Sequence, residues 1–575
     1  MDTTTVEIPV KPKRRFLPDD LKIDSWNKIE KYFIDLRDRQ LNSLADLEHW
    51  MFDWSELDAV LSEDVAWRYI RMTCDTTNKE FVDSYNFYIS EIEPKVSPFN
   101  NDFNKKFIAS PFISQLNEER YRIFVRSVKK AVEIYRDVNI PLFTEQSTES
   151  QKYGAIAGDQ TIQYNGQELT MQRAASLLKE PDRKVREEVW KLLQERREKD
   201  VNILNDLFDR LIAVRDKIGN NAGFANFRDY KFVALGRFDY GVKDCFDFHD
   251  SILNEVVPVN LKFDEERKAA LKLDALRPWD ADVDISGKAP LRPFATGEEL
   301  IKKSIDCFYR VRPFFGECLE IMNAMKHLDL ESRKGKAPGG YNYPLYEIGV
   351  PFIFMNSVGT HRDLVTMVHE GGHAVHSFLS RNLEMTEFKS VPSEVAELAS
   401  MSMELISMEY WDVFFTDKDS LRRAKREQLE KVLHTLPWIA MIDKFQHWIY
   451  ENPKHTLADR TAKWKTLVDQ FHGNVIDWSG FENVRARSWH NQLHLFEVPF
   501  YYIEYGFAQL GAVAVWRNYK KNPEKALDDY QAALALGYTK SIPEIYETAG
   551  IRFDFSREYV KELVDFVKEE MEKLK

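Results

Sequence analysis

Cysteine is scarce in this chain. There are 4 in 575 residues, at Cys74, Cys245, Cys307 and Cys318, and none forms a C-x-x-C pair. That pattern argues against a disulfide framework and fits reduced thiols in a cytoplasmic protein. Excess positive charge is also lacking: the net charge is -13, and no long basic block occurs beyond the short cluster Lys11-Pro12-Lys13-Arg14-Arg15. Nucleic acid is therefore not an expected partner. No uncharged apolar run reaches 18 residues, so no membrane span is expected. No apolar core follows the N-terminal basic cluster, so no secretory signal is expected either. Internal repeats and low-complexity tracts are absent. What remains, 44% hydrophobic and 30% charged residues, is ordinary for a soluble globular protein able to bury a large core.

The coarse pattern is helical. Residues 1–20 read as a flexible leader, and apolar residues at 3–4 spacing run from about Asp24 to Arg136. Residues 137–150 read as a loop. Ile156, Ile162 and Tyr164 with the turn dipeptide Asn165-Gly166 read as a hairpin within 153–169. Helices follow, interrupted at Gly219 to Gly223 and by a Pro- and Asp-containing loop from Pro278 to Arg292. The stretch 333–357 holds a glycine-rich loop around Gly339-Gly340-Tyr341 and an apolar strand candidate, Val350 to Asn356. After Pro392 the pattern is helical to the end. The expected class is mostly α with two small β insertions.

One stretch carries chemistry: Val368-His369-Glu370-Gly371-Gly372-His373-Ala374-Val375-His376, which contains H-E-x-x-H. On a helix, His369 and His373 lie one turn apart on one face, so both imidazoles can reach one metal ion. Glu370 sits about 100° round from His369 and is placed to serve as a general base toward water. With 13 His and 93 acidic residues, about 0.05 such matches arise by chance. Leu364, Val368, Val375 and Leu379 recur at helical spacing, and Thr360 with Asp363 reads as a capping box that starts the helix. Gly371 and Gly372 each cost a helix interior about 1 kcal/mol relative to Ala. Beside two ligands, they imply close approach of another backbone or of a substrate.

Two histidines need a third protein ligand, and a catalytic site leaves one position open. Glu384, Glu387, Glu394, Glu397 and Glu404 are the acidic candidates downstream. Glu397, Ser400 and Glu404 share one face of the helix expected from Pro392, among Val395, Leu398, Met401 and Leu405. A carboxylate there is costly unless paired or metal-bound. Glu397 is the first choice and Glu394 the reserve, with Glu404 as readily a solvated surface acid. His376 reads as a packed or supporting residue, and His490 as a packing or solvent-facing one.

These elements resemble the zinc oligopeptidase family of thimet oligopeptidase and oligoendopeptidase F, nearest the latter branch. The likeness runs in order through Asp329 to Ala337, Gly340-Tyr341, Pro351 to Asn356, Gly359-Thr360, the H-E-x-G-H-x-x-H helix, E-x-x-S-x-x-x-E at Glu397, Ser400 and Glu404, and the aromatic stretch His494 to Tyr505. The thimet branch has Phe where this chain has Gly371. The resemblance implies a two-lobed helical ellipsoid with a deep substrate channel, divided as an N-terminal helical lobe over 21–190 and a catalytic region over 191–575. It implies one Zn2+ held by His369, His373 and Glu397, with Glu370 as general base. His494, Tyr501 and Tyr505 would bind substrate and stabilise the oxyanion, with Tyr502 as an alternative to Tyr501.

The implied activity is hydrolysis of internal bonds in short peptides by zinc-activated water, with the strand at Phe352 to Asn356 pairing with extended substrate. Dipeptidyl carboxypeptidase action and non-catalytic peptide binding are the competing expectations.

Overall fold

The computed structural model describes residues 6–333, 335–337 and 339–574. The first five residues of the expected leader, and Lys334 and Pro338 of the glycine-rich stretch, lie outside them. Helix accounts for 69% of the chain and the sheets are few and small, which makes the class mostly α. Among the described residues, no helix is long and apolar enough to cross a membrane.

The chain packs as two compact units, each assembled from separate sequence segments. The first comprises Met1–Tyr135, Arg292–Leu421 and Gly511–Phe553. Its described N-terminal residues have no regular structure yet are tied down. Backbone N–H groups of Phe16 and Leu17 donate to Glu56 Oε1 at 3.0 and 2.8 Å, and Arg14 Nε donates to Glu347 Oε1 at 2.6 Å. Leu17 and Ile23 enter an aromatic-rich core with Phe33, Trp50, Trp54 and Phe103. The described leader is thus tied down at its C-terminal half, where Arg14 and Lys11 find acidic partners and Leu17 is buried, while Ile8 and Val10 stay exposed.

A three-stranded sheet also belongs to this unit. Phe352–Ser357 is its central strand, parallel to Leu328–Glu331 and antiparallel to Tyr341–Tyr343. That corrects the expectation that Phe352 to Asn356 pairs with substrate. Phe352 to Met355 are buried, as befits a strand with neighbours on both sides, and Tyr341–Tyr343 is an edge strand instead.

The strand leads into the helix His361–Ser380. Thr360 and Asp363 close the expected capping box: the Thr360 hydroxyl accepts from Asp363 N at 3.3 Å, and Asp363 Oδ2 accepts from Thr360 N at 2.8 Å. A second helix, Ser393–Ser407, starts after Pro392 and packs on it.

The second unit comprises Arg136–Leu291, Arg422–Leu510 and Asp554–Lys575. The hairpin forms at Thr161–Tyr164 and Gln167–Thr170 around Asn165-Gly166, both at positive φ. Its Ile162 and Leu169 pack on Val189 and Leu193. Residues 140–158, expected to begin as a loop, form the helix Ile140–Gly158. Pro141 sits in its first turn, where proline starts a helix rather than breaking one. The segment Thr144 to Gln151 is polar and hid the periodicity, since only Ser150 and Tyr153 of this helix are buried. Their hydroxyls donate to Phe496 O and His490 O at 3.0 and 2.9 Å.

Candidate metal centre

The helix His361–Ser380 places His369 and His373 one turn apart, with ring centroids 4.9 Å apart and planes at 87°. The helix Ser393–Ser407 brings Glu397 to them. Glu397 Oε2 is 3.3 Å from His369 Nε2 and 3.7 Å from His373 Nε2. The ligand atoms of these three residues all lie within 4.8 Å of one another. Two imidazole nitrogens and a carboxylate oxygen at such spacings fit a divalent cation with bonds of about 2.0–2.2 Å, so the donor set passes the test of fit. Glu394, the reserve, is buried elsewhere, and its carbonyl accepts from Tyr546 Oη at 3.0 Å.

Close approach of the two helices depends on glycine. A Cβ at Gly372 would lie 2.7 Å from Ser400 Cα and 2.8 Å from Ala399 O. The glycine pair thus marks a backbone contact, and Gly371 likewise fits against the Phe308 ring, whose Cζ a Cβ would meet at 2.5 Å. Gly372→Ala gains up to about 1 kcal/mol of helix propensity and costs about 1–3 kcal/mol by overpacking. The obstructing atoms are backbone, so the cost wins. A lowered thermal midpoint of the metal-free variant is the expected outcome, and an unchanged or raised one would contradict the packing argument.

Outer partners orient the donors. Glu404 is not a solvated acid: it is buried, and its Oε1 is 2.7 Å from His369 Nδ1. That contact puts Nδ1–H toward Glu404 and leaves Nε2 for a metal. The Ser400 hydroxyl donates to Glu397 Oε2 at 2.9 Å. Asn342, on the edge strand, donates to the Glu370 carbonyl at 3.1 Å. Sequence reasoning missed the Glu404 contact, although its signal was present in the spacing Glu397, Ser400, Glu404. His376 is buried, with burial holding its pKa down at about 3. His490 packs rather than facing solvent, with Nε2 3.0 Å from Asn205 Oδ1.

Electrostatics separates the groups. Burial pushes the Glu370 carboxyl up to about 7, and burial also holds His373 down to about 4. At Glu397 burial is outweighed by the two histidines, which hold it at about 2. At His369 burial is outweighed by hydrogen bonds to Glu397 and Glu404, which raise it well above the usual imidazole range. The metal-free His369 therefore holds its second proton more tightly than an ordinary imidazole, and a cation at Nε2 would displace it. The sign follows: apparent metal affinity falls as pH drops, by about tenfold per pH unit for each displaced proton. Competition with a chelator at pH 6 and pH 8 should show weaker binding at pH 6; equal affinity would contradict the protonation scheme.

The remaining residues expected from sequence lie in the second unit and group together. The His494 ring is 6.0 Å from Tyr501, 4.7 Å from Tyr502 and 5.8 Å from Tyr505 by centroids. Trp438 Nε1, which can only donate, lies 2.8 Å from Gln492 Oε1. That fixes the amide, so Gln492 Nε2 donates to His494 Nδ1 at 2.6 Å. His494 Nδ1 is then an acceptor, and Nε2 carries the proton. Tyr502 is pushed up to about 12 by burial, with hydrogen bonds to Gln492 and Trp438 opposing.

The turn before the tyrosines is strained. Phe500 is fully buried at φ +67, a conformation rare for a bulky residue. Its N–H donates to Gln446 Oε1 at 2.6 Å, and its carbonyl accepts from Arg237, which also pairs with Glu504 at 2.8 Å. Nothing in the local sequence announces Arg237 or Gln446, because each lies more than 50 residues from Phe500.

Comparison with known proteins shows the family and the fold. The profile of peptidase family M3 matches residues 176–565, and that of the peptidase M3 N-terminal domain matches residues 18–135. The oligoendopeptidase F homolog of Borreliella burgdorferi is 23% identical over 468 residues, covering 78% of this chain and 74% of the relative. The solved structure of PZ peptidase A with an inhibitor is 25% identical, with a TM-score of 0.90 over 97% of this chain and 99% of that one. A putative oligoendopeptidase F structure gives the same identity, TM-score and coverage. Matched over most of its length by this family's profiles, and presenting a two-histidine, one-glutamate donor set on an H-E-x-x-H helix, the chain belongs to peptidase family M3.

Proposed function

We propose that this metallopeptidase is a zinc oligoendopeptidase that cleaves internal bonds of short peptides in the cytoplasm. The observation that carries this reading is the open donor set, His369 Nε2, His373 Nε2 and Glu397 Oε2, with Glu370 as the next residue after a ligand. The relatives' names, oligoendopeptidase F among them, support the substrate class, and the absence of disulfides supports the compartment.

His369, His373 and Glu397 would hold the ion, and Glu404 would keep the His369 ring in register. The ion supplies Lewis acidity to the scissile carbonyl and to the attacking water. Glu370 accepts the proton of that water and hands it to the leaving amine. Tyr501, Tyr505 and the Nε2–H of His494 donate to the developing oxyanion and hold the substrate. Pairing with extended substrate backbone falls to the edge strand Tyr341–Tyr343, because Asn342 already bonds the Glu370 carbonyl.

The tyrosine roles are tested by single substitutions. Tyr501→Phe or Tyr505→Phe should lower kcat/KM by about 10²–10³, the usual effect of losing one oxyanion donor, with metal content unchanged. Tyr502→Phe, whose hydroxyl is engaged by Gln492 and Trp438, should cost less than about tenfold by the same measure. The reverse ranking would move the role to Tyr502.

A further inference from the structure

A second cluster of metal-type side chains lies in the second unit. The helix Val242–Glu255 carries Cys245 and His249, and the helix Lys418–Glu451 carries Asp443 and His447. Each pair is spaced i, i+4, so each presents both side chains on one helix face. The four groups are buried to within 1% of complete exclusion from solvent. The ligand atoms of Cys245, Asp443 and His447 lie within 4.8 Å of one another, the same closeness found at the peptidase triad.

The polar atoms there are poorly served by protein partners. His249 Nε2 is 2.8 Å from Asp443 Oδ2. His447 Nε2 is 3.1 Å from that same oxygen but makes no hydrogen bond. Asp443 Oδ1, His249 Nδ1 and both nitrogens of His447 have no hydrogen-bond partner. A buried polar atom left without a partner is costly, so these atoms favour a ligand that serves them. Aromatic rings surround the cluster: Phe246 lies 4.9 Å from the His447 ring and 5.6 Å from that of His249. Phe232 and Phe500 stand at 5.9 and 5.5 Å from His447.

We propose that Cys245, Asp443 and His447 form a second, structural metal site for a zinc-class divalent cation, with His249 bracing the Asp443 carboxylate. Sulfur, nitrogen and oxygen donors together select this class over calcium or magnesium. His249 bonds one carboxylate oxygen and leaves Oδ1 for the ion, the outer-partner arrangement typical of protein metal sites. Binding releases the Cys245 thiol proton to solvent. Thiolate, carboxylate and a doubly charged cation then sum to zero charge, which suits a dry interior. The site would pin the two helices beneath Phe500, the strained residue that leads into Tyr501. It is independent of the peptidase triad and raises the metal content beyond the single ion expected from sequence.

The test uses the full chain produced in cobalt-supplemented minimal medium, read by elemental analysis and near-ultraviolet absorption. The peptidase triad has no sulfur, so a sulfur-to-cobalt charge-transfer band reports the second site alone. The expected result is two equivalents of metal and such a band, lost in Cys245→Ser and kept in Cys74→Ser. His447→Ala should drop the content to one equivalent, as should Glu397→Ala for the other ion. The wild-type measurement stands even if a variant fails to fold. One equivalent without a sulfur band would overturn the proposal and leave a buried His249–Asp443 hydrogen bond with His447 beside it. Two equivalents without the band, or a band lost with Cys74 instead, would also overturn it.

Discussion

Glu370→Gln should lose about 10²–10⁴ in kcat/KM while binding as much metal as the parent chain. The substitution keeps the shape of the side chain and removes only its ability to take a proton. It should not unfold the site, because burial already disfavours the charged carboxylate and lifts Glu370 to about 7 in the metal-free chain. Its backbone contact, the carbonyl bonded by Asn342, does not involve the side chain. Metal analysis beside steady-state kinetics separates the outcomes. Activity within tenfold of the parent would rule out Glu370 as general base. Activity lost together with metal would mean that Glu370 supports the site instead.

Glu397→Ala should remove the metal itself. It takes away one of three donors and leaves His369, whose Nδ1 is held by Glu404, without the Glu397 contact to its Nε2. Loss of an outer partner typically costs 10–100-fold in metal affinity, so loss of a direct donor should cost more, and activity should vanish at ordinary metal concentrations. Glu404→Ala gives the internal scale, with a loss in that 10–100-fold range. Glu394→Ala should leave affinity unchanged. If Glu394→Ala strips the ion and Glu397→Ala does not, the ligand assignment fails.

The parts of the site legible in the sequence are those with a short repeat. His369, Glu370 and His373 follow from one helical turn, and Glu397 from the cost of an acid on an apolar face. The Thr360–Asp363 box and the Asn165-Gly166 turn are local chemistry and stand where they were read, but residues 153–158, read with the hairpin, continue the helix Ile140–Gly158. Gly372 announced a close approach, but only the fold shows that Ser400 and Ala399 are the neighbours.

What was hidden is hidden for physical reasons. Glu404 looks like a surface acid until the helix crossing brings His369 to it. Residues 144–151 are all polar, so their helix rests on tertiary contacts rather than on periodicity. The strand at Phe352–Ser357 reads equally as edge or centre, since a continuous apolar run says nothing of how many neighbours it has. The leader's basic residues gave no hint of Glu56 or Glu347. Cys245, His249, Asp443 and His447 form two i, i+4 pairs almost 200 residues apart, and no sequence period links them.

The most direct measurement is mass spectrometry of a mixture of short and long peptides after incubation with the purified chain, with and without a chelator. The account expects internal cleavage of the short peptides, abolished by chelation and restored by Zn2+. No cleavage by the metal-loaded chain would contradict it, and stepwise loss of C-terminal dipeptides would replace the endopeptidase with a dipeptidyl carboxypeptidase.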